Sequence, residues 1–296
     1  MKKIHVLIGL AVILPLGALI LACLDADARG GKGAAGPPSA ISPLQFLPEE
    51  LAQREQWEEF LTSAEVVGSR QMVGPEAVTS PWVLTLKRGD VTHRGLWKNA
   101  QGRMGGYWEG WNYEIAAYRL DKYLGLGLVP PTVERLFREE RGSCQYWIDD
   151  NMSLKDKEEK RIKTPPIKVF GWNRATYLQR FFDNLIANED RHANQILITP
   201  DWRMILIDHS RSFRTSSRFT KGLIFSAKSP EGPKLMSELP RALVAKVKSL
   251  DFATIRSVVG DYLSDEEIHA VLIRRDLILA EIDQLVKANG EGKVFY

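Results

Sequence analysis

The chain has 296 residues, 44% of them apolar, and a formal net charge of only +3. That length is enough for one two-lobed domain or two small ones, each with a core. A near-neutral balance without a long basic block argues against a dedicated nucleic-acid binder. Two cysteines, Cys23 and Cys144, argue against a disulfide framework, and Cys144 reads as a small buried hydrophobe.

Lys2 and Lys3 precede the apolar run IHVLIGLAVILPLGALILAC. A positive start, an apolar stretch and a small residue before Cys23 resemble a bacterial lipoprotein signal, with Cys23 as the lipidated residue. An uncleaved anchor and an ordinary cleaved signal are the alternatives, since about 19 apolar residues nearly span a bilayer. These readings place the chain in the cell envelope, held to the membrane by an N-terminal lipid or helix. The positive-inside tendency puts the rest of it outside the cytoplasm, in a periplasmic or similar space. Residues 1–23 are therefore a signal or anchor. Residues 24–44, small, Gly-rich and Pro-punctuated, form a flexible tether.

Residues 46–64 carry Phe46, Leu51, Trp57, Phe60 and Leu61 among charges and predict an amphipathic helix with a proline near its first turn. EVVGSRQMVG reads as a short strand. Apolar residues on either side of KRGD predict an antiparallel hairpin, 82–87 with 91–98. Tyr113–Leu124 is helical in pattern and is stopped by Gly125 and Gly127. VPPTVERLF is extended, because prolines bias the residues before them away from the helix. CQYWIDD is a short strand, and the charged run after it is a solvated loop or surface helix. A helix follows over 173–188, then two β-like runs, QILITP and RMILIDH, joined at TPDWR. The remainder is helical from about 231, with Ser264 and the acids after it as a cap. The order predicts an α+β fold with two unequal lobes, a β-rich N-lobe and a mainly helical C-lobe, hinged near 144–150.

Asp190 falls on the loop before the first of the two paired runs, and Asp208 ends the second. A hairpin sets the start of one strand beside the end of the next. Asp190, Gln195, Asp208 and Asn194 can therefore converge on one pocket. Two carboxylates with amide oxygens make a hard site suited to Mg²⁺ or Mn²⁺. Phosphoryl transfer needs such a site, with one Asp orienting a hydroxyl and another holding metal against phosphates. The competing reading is a pair of acidic caps.

DRHxxxILI…LIDHS resembles the catalytic and metal segments of the atypical kinases: the phosphatidylinositol 3-/4-kinase-like, HipA-like and Fam20/four-jointed secretory families. The resemblance implies a bilobal kinase-like fold, with an N-lobe and its preceding helix over 45–149 and a C-lobe over 150–296. It implies Asp190 as the catalytic Asp, Arg191 and His192 as the supporting pair of its loop, and Asp208 as the metal Asp. RGLWK resembles the strand bearing the nucleotide lysine, making Lys98 the phosphate partner. NYEIAAYRLDKYLGLGLVPPTVER resembles the helix whose Glu114 fixes that lysine. Lys87 and Glu109 are their rivals by position. CQYWID implies a hinge, with backbone groups near Tyr146 and Trp147 at the adenine edge. Residues 73–82 take the place of a phosphate cover, with Thr79 and Ser80 as donors. The related families carry a metal-binding Asn where this chain has Gln195, so either Gln195 or the neighbouring Asn194 completes the metal site.

The resemblance thus implies metal-dependent transfer of phosphoryl from ATP or another donor to a hydroxyl on a protein, glycan or lipid acceptor. An extracytoplasmic space holds little ATP, so an inactive kinase-like envelope lipoprotein, acting as a binding or scaffold module, is the alternative. A different hydrolase or metal-binding envelope protein would instead leave Lys98 and Glu114 far from Asp190. The aromatic run GGYWEGWNYE, with Tyr107, Trp108, Trp111 and Tyr113, stacks on a sugar or peptide or packs between the lobes.

Overall fold

The computed structural model describes residues 48–74, 79–226 and 236–296. The leader, the tether and residues 75–78 of the expected phosphate cover lie outside that set.

The N-lobe is an antiparallel sheet with two helices beside it. Helices α1 (Pro48–Ala52) and α2 (Arg54–Ser63) replace the single helix expected over 46–64, the chain turning at Gln53. Strands β1 (Glu65–Gln71), β2 (Trp82–Arg88) and β3 (Val91–Lys98) follow, with β2 and β3 forming the expected hairpin. Gly89 at its tip takes the left-handed conformation, φ 60°, that a two-residue reversal requires. A second hairpin, β4 (Gln101–Met104) and β5 (Tyr107–Gly110), was not expected from the sequence. Helix α3 (Trp111–Leu124) ends on Gly125, whose left-handed φ of 75° lets its N–H donate to Asp121 O at 2.9 Å. Strands β6 (Thr132–Phe137) and β7 (Glu140–Tyr146) complete the sheet in the order β1-β2-β3-β7-β6.

Strand alternation sorts the faces of this sheet. Leu84, Leu86, Trp97 and Cys144 pack against Phe60 and Leu61 of α2. Lys98 and its cross-strand partner Ser143, one residue along, turn to the opposite face. Strands β3 and β7 approach closely there: a Cβ added to Gly142 would lie 2.4 Å from the Lys98 carbonyl. Cys144 is a free, fully buried thiol, which burial pushes up to about 12.

The C-lobe is helical around a small sheet. Strand β8 (Met152–Ser153) leads into α4 (Leu154–Glu159) and then α5 (Pro166–Ile186). Helix α5 starts seven residues before the expected Asn173, because Pro166 at its first position is compatible with a helix start. Strands β9 (Ile196–Ile198) and β10 (Met204–Leu206) form the expected hairpin, ordered β10-β9-β8. Then come α6 (Ser217–Thr220), α7 (Arg241–Lys248), α8 (Phe252–Val259), α9 (Asp265–Asn289) and α10 (Glu291–Val294). Ser264 caps α9 in a reciprocal box with Glu267. The apolar sides of α5, α7, α8 and α9 share one core with α3. Arg274 of α9 is buried in it and donates to the carbonyls of Leu185 at 2.9 Å and Arg214 at 2.7 Å.

Helix α3 is tied to the C-lobe at its first turn. Asn112 Nδ2 donates to Tyr262 O at 2.8 Å, and Tyr113 OH donates to Glu267 at 2.5 Å. Tyr262 OH in turn donates to Glu134 of β6 at 2.8 Å.

Candidate active site

Lys98 ends β3 on the face turned from α2, where Glu114 projects from α3. Its Nζ lies 2.7 Å from Glu114 Oε1 and 2.8 Å from Asp208 Oδ1. Lys87, next to last in β2, is exposed and makes no contact with Glu114 or Asp208. The Lys98 and Glu114 side chains are 8% and 3% exposed, whereas Asp208 keeps 37%, open to the cleft. Burial pulls the Lys98 ammonium down, but the carboxylates of Asp208 and Glu114 outweigh it and hold it above the usual lysine range. Burial pushes both carboxyls up, and Lys98 outweighs this in turn, so both sit below the usual carboxylate range.

Asp208 takes φ 60°, a left-handed conformation uncommon outside glycine and enriched among Asp and Asn. The next residue explains how it is held. The His209 N–H donates to Glu114 Oε2 at 2.9 Å, so one carboxylate fixes both Lys98 and the chain after Asp208. The His209 ring is fully buried with its Nδ1 3.5 Å from the same oxygen, and burial lowers its pKa, so it is neutral. Ser210 Oγ donates to Asp208 Oδ1 at 3.0 Å.

A turn of 3-10 helix over Ala193–Gln195 decides between the two amide candidates. Gln195 is turned inward and its Nε2 lies 3.3 Å from Asp208 Oδ2. Its Oε1 accepts the His192 N–H at 3.4 Å. Asn194 faces away and is engaged by the His192 ring. The structure thus brings Gln195, not Asn194, to Asp208.

Asp190 lies at the rim, its N–H held by Asn188 Oδ1 at 3.1 Å. Its carboxylate is 3.1 Å from Arg211 Nη1 and 3.6 Å from His192 Nε2. Arg191 points the other way, into the lobe. Its guanidinium pairs with buried Asp183 at 3.1 Å and donates to the carbonyls of Gln195 at 3.2 Å and Ile207 at 2.5 Å. It fastens the Asp190 loop to the strand before Asp208 and does not face the cleft. His192 is half exposed.

Arg211 escaped the sequence reading. Its Nε donates to Glu109 Oε1 at 2.6 Å, and its guanidinium lies 4.4 Å from the Tyr107 ring centroid. Glu109, read only as a rival of Glu114, is the buried anchor of this arginine. Trp108 and Tyr107 at the tip of the β4–β5 hairpin are half exposed, and Trp108 O accepts from Arg214 at 2.7 Å. Trp111 and Tyr113, by contrast, are buried at the start of α3.

At the expected hinge both amide donors are engaged within the protein. The Tyr146 N–H donates to Pro131 O at 2.8 Å and the Trp147 N–H to Arg94 O at 3.2 Å, so neither donor is free for an adenine. The Tyr146 ring stacks on His93 and meets Trp57 on the α2 side. Alternation instead places Gln145 on the Lys98 face, where its Nε2 donates to Thr132 Oγ1 at 3.0 Å. Thr79 and Ser80 lie just before β2, and Ser80 O accepts from Gln71 at 3.2 Å; no hydrogen bond joins either side chain to Lys98. The β1–β2 connection that they end is the cover expected over phosphates.

The sheet order, the Lys98–Glu114 pair and the hairpin between Asp190 and Asp208 are now joined by comparison with known structures. A structure of hydra Fam20 with sugar matches with TM-score 0.62 at 14% identity, over 87% of this chain and 96% of that one. The chain has the fold of an atypical kinase. The Golgi casein kinase matches at TM-score 0.58 and 14% identity, over 82% of this chain and 77% of that one. A structure of that enzyme with Mn/ADP bound matches equally well, at 13% identity over 82% and 78%. No family model and no curated protein matches the sequence. Lys98, Glu114 and Asp208 meet where β3, α3 and the segment after β10 come together.

Among the described residues no cluster of three or more His, Cys, Asp or Glu is preformed for a metal. The donor chemistry nonetheless fits a hard cation. The open Asp208 carboxylate and the Gln195 amide beside it supply two oxygens once the amide turns over, and phosphate oxygens complete such a shell.

Proposed function

We propose that the protein binds a nucleoside triphosphate with Mg²⁺ or Mn²⁺ and transfers its terminal phosphoryl group to an acceptor hydroxyl. The observation that carries this reading is Lys98 held between Glu114 and Asp208, residues far apart in the chain, within an atypical-kinase fold. Lys98 carries the positive charge for the nucleotide phosphates, and Glu114 keeps it aimed. Asp208 and Gln195 would hold the cation, which when bound neutralises charge developing on the phosphates. Asp190 orients the acceptor hydroxyl and receives its proton. The bond from the terminal phosphorus to the diphosphate breaks as the bond to the acceptor oxygen forms. His192 and Arg211 set the position of Asp190, and Arg191 holds its loop.

In the resting geometry Asp208 is spent on Lys98. Binding of a phosphate chain replaces that contact and frees Asp208 for the cation. The apolar N-terminal run, outside the described residues, supports a membrane-held domain on the extracytoplasmic side. Among the described residues no helix is long and apolar enough to cross a membrane.

The test is calorimetric titration of ATP with Mn²⁺ or Mg²⁺ into the protein, beside the Asp208→Ala variant. Metal-dependent binding that the variant loses supports the reading. Absence of heat from the folded protein removes ATP as donor. Gln195 favours a second reading, a nucleotide-binding module without transfer, because it stands where the related families carry Asn. Binding without any turnover in the presence of metal would establish that alternative.

A further inference from the structure

Helix α5 begins with residues that the C-lobe leaves uncovered, 166–171 all being exposed before Trp172 meets the core. Ile167 is 87% exposed and Phe170 59%, and Ile162 and Val169 are also open. The buried residues of the helix start only at Ala175. Ile167 and Phe170, three apart, lie on one face. Single exposed apolar side chains carry no message, but Ile167 and Phe170 share one face, and Ile162 and Val169 are open close by in the chain.

The charge around the patch is one-sided. From residue 160 to 174 the chain carries Lys160, Arg161, Lys163, Lys168 and Arg174, with no Asp or Glu. These five cations exceed the +3 of the whole chain. Lys160 pairs with Asp156, and Arg174 pairs with Glu238 while lying 4.2 Å from the Phe170 ring centroid. Arg161, Lys163 and Lys168 are exposed and direct no side-chain ion pair or hydrogen bond to any described residue.

Apolar side chains ringed by unspent cations suit an anionic lipid surface. The apolar groups enter the acyl boundary while the cations meet headgroup phosphates. The chain's own N-terminus favours a bilayer over a protein partner, since Lys2, Lys3 and the apolar run to Cys23 already direct it to a membrane. We propose that the loop 160–165 and the first two turns of α5 dock on an anionic bilayer surface. This docking is peripheral, and it is independent of the phosphoryl-transfer reading.

The experiment is hydrogen–deuterium exchange of the full chain in nanodiscs of phosphatidylcholine, with and without phosphatidylglycerol. Docking slows exchange over residues 160–174 in the anionic discs only. At about 1 kcal/mol for each basic residue, Lys163→Ser with Lys168→Ser weakens docking about 30-fold. The protection is then lost while α9 keeps its own. Ile167→Ser with Phe170→Ser has the same effect. Equal exchange in both kinds of disc overturns the proposal. So does protection in detergent that rises with protein concentration, because a second copy then covers the patch.

Discussion

Arg211 Nη1 lies 3.1 Å from Asp190 Oδ2, and the same guanidinium is anchored by Glu109 at 2.6 Å. A rim carboxylate is thereby tied to a buried acid on a different lobe element. Arg211→Gln keeps a polar side chain but loses the fork, so Asp190 is no longer held in one orientation. We expect nucleotide turnover to fall about 10-fold or more, with nucleotide KM changed less than about twofold, because positioning acts on the acceptor side. Steady-state turnover of labelled ATP reads both numbers. A KM effect with unchanged kcat would place Arg211 at the nucleotide instead.

Lys98 gives a pH test. Glu114 and Asp208 are held below the usual carboxylate range. At neutral pH both states are ionised, and as pH falls through about 4 the unfolded chain takes up protons before the fold does. Stability from these contacts is therefore present above that range and lost on further acidification. Lys98→Met leaves Glu114 buried without its cation, at a cost of about 3 kcal/mol. Its carboxyl then titrates above the unfolded value, and the local slope reverses: the variant gains stability as pH falls from 7 towards 4. Thermal melts of both proteins across that range decide it. Parallel profiles would mean that Lys98 is not the counterion that matters.

Arg191 separates structure from chemistry. Its side chain is 3% exposed and Asp183 is fully buried. Arg191→Met leaves the Asp183 carboxylate without its counter-charge and the Ile207 carbonyl without its donor, with an expected loss of about 3–5 kcal/mol. Denaturant midpoints measure it. Arg191→Met with Asp183→Leu should recover part of the loss. A variant of unchanged stability but no turnover would give Arg191 a direct role.

Gln195→Leu removes the amide beside Asp208 and the acceptor of the His192 N–H. Nucleotide affinity in the presence of Mn²⁺ should drop about 10-fold, while affinity without metal stays as it was. Titration calorimetry with and without Mn²⁺ distinguishes the two. Equal losses in both conditions would mean that Gln195 serves the loop and not the cation.

The resemblance to the atypical kinases implied the long-range grouping of Lys98, Glu114 and Asp208, while the hairpin pattern alone brought only Asp190, Asn194, Gln195 and Asp208 together. The sequence could not choose between Asn194 and Gln195. That choice rests on one turn of 3-10 helix, in which adjacent side chains point about 120° apart, so that Gln195 and not Asn194 meets Asp208. Arg211 was invisible because its partner Glu109 lies 102 positions away on a hairpin of glycines and aromatics that shows no β alternation. The hinge reading rested on backbone groups near Tyr146 and Trp147, and the sequence could not show that their N–H groups are bonded to the Pro131 and Arg94 carbonyls. The start of α5 was missed because PIKVFGW is exposed and lacks the buried-face periodicity that marks a helix.

The ties at the first turn of α3 bear on control. Asn112 and Tyr113 bind the C-lobe while Asp121 pairs with Arg54 of α2, so the helix carrying Glu114 is fastened at both lobes. A swing of α3 that pulls Glu114 from Lys98 would break the Asn112 and Tyr113 bonds to the C-lobe and expose apolar core at once. An off-state reached by that motion is therefore costly. On the proposed phosphoryl-transfer reading, control would then fall to the supply of nucleotide or acceptor to a cleft that is already assembled.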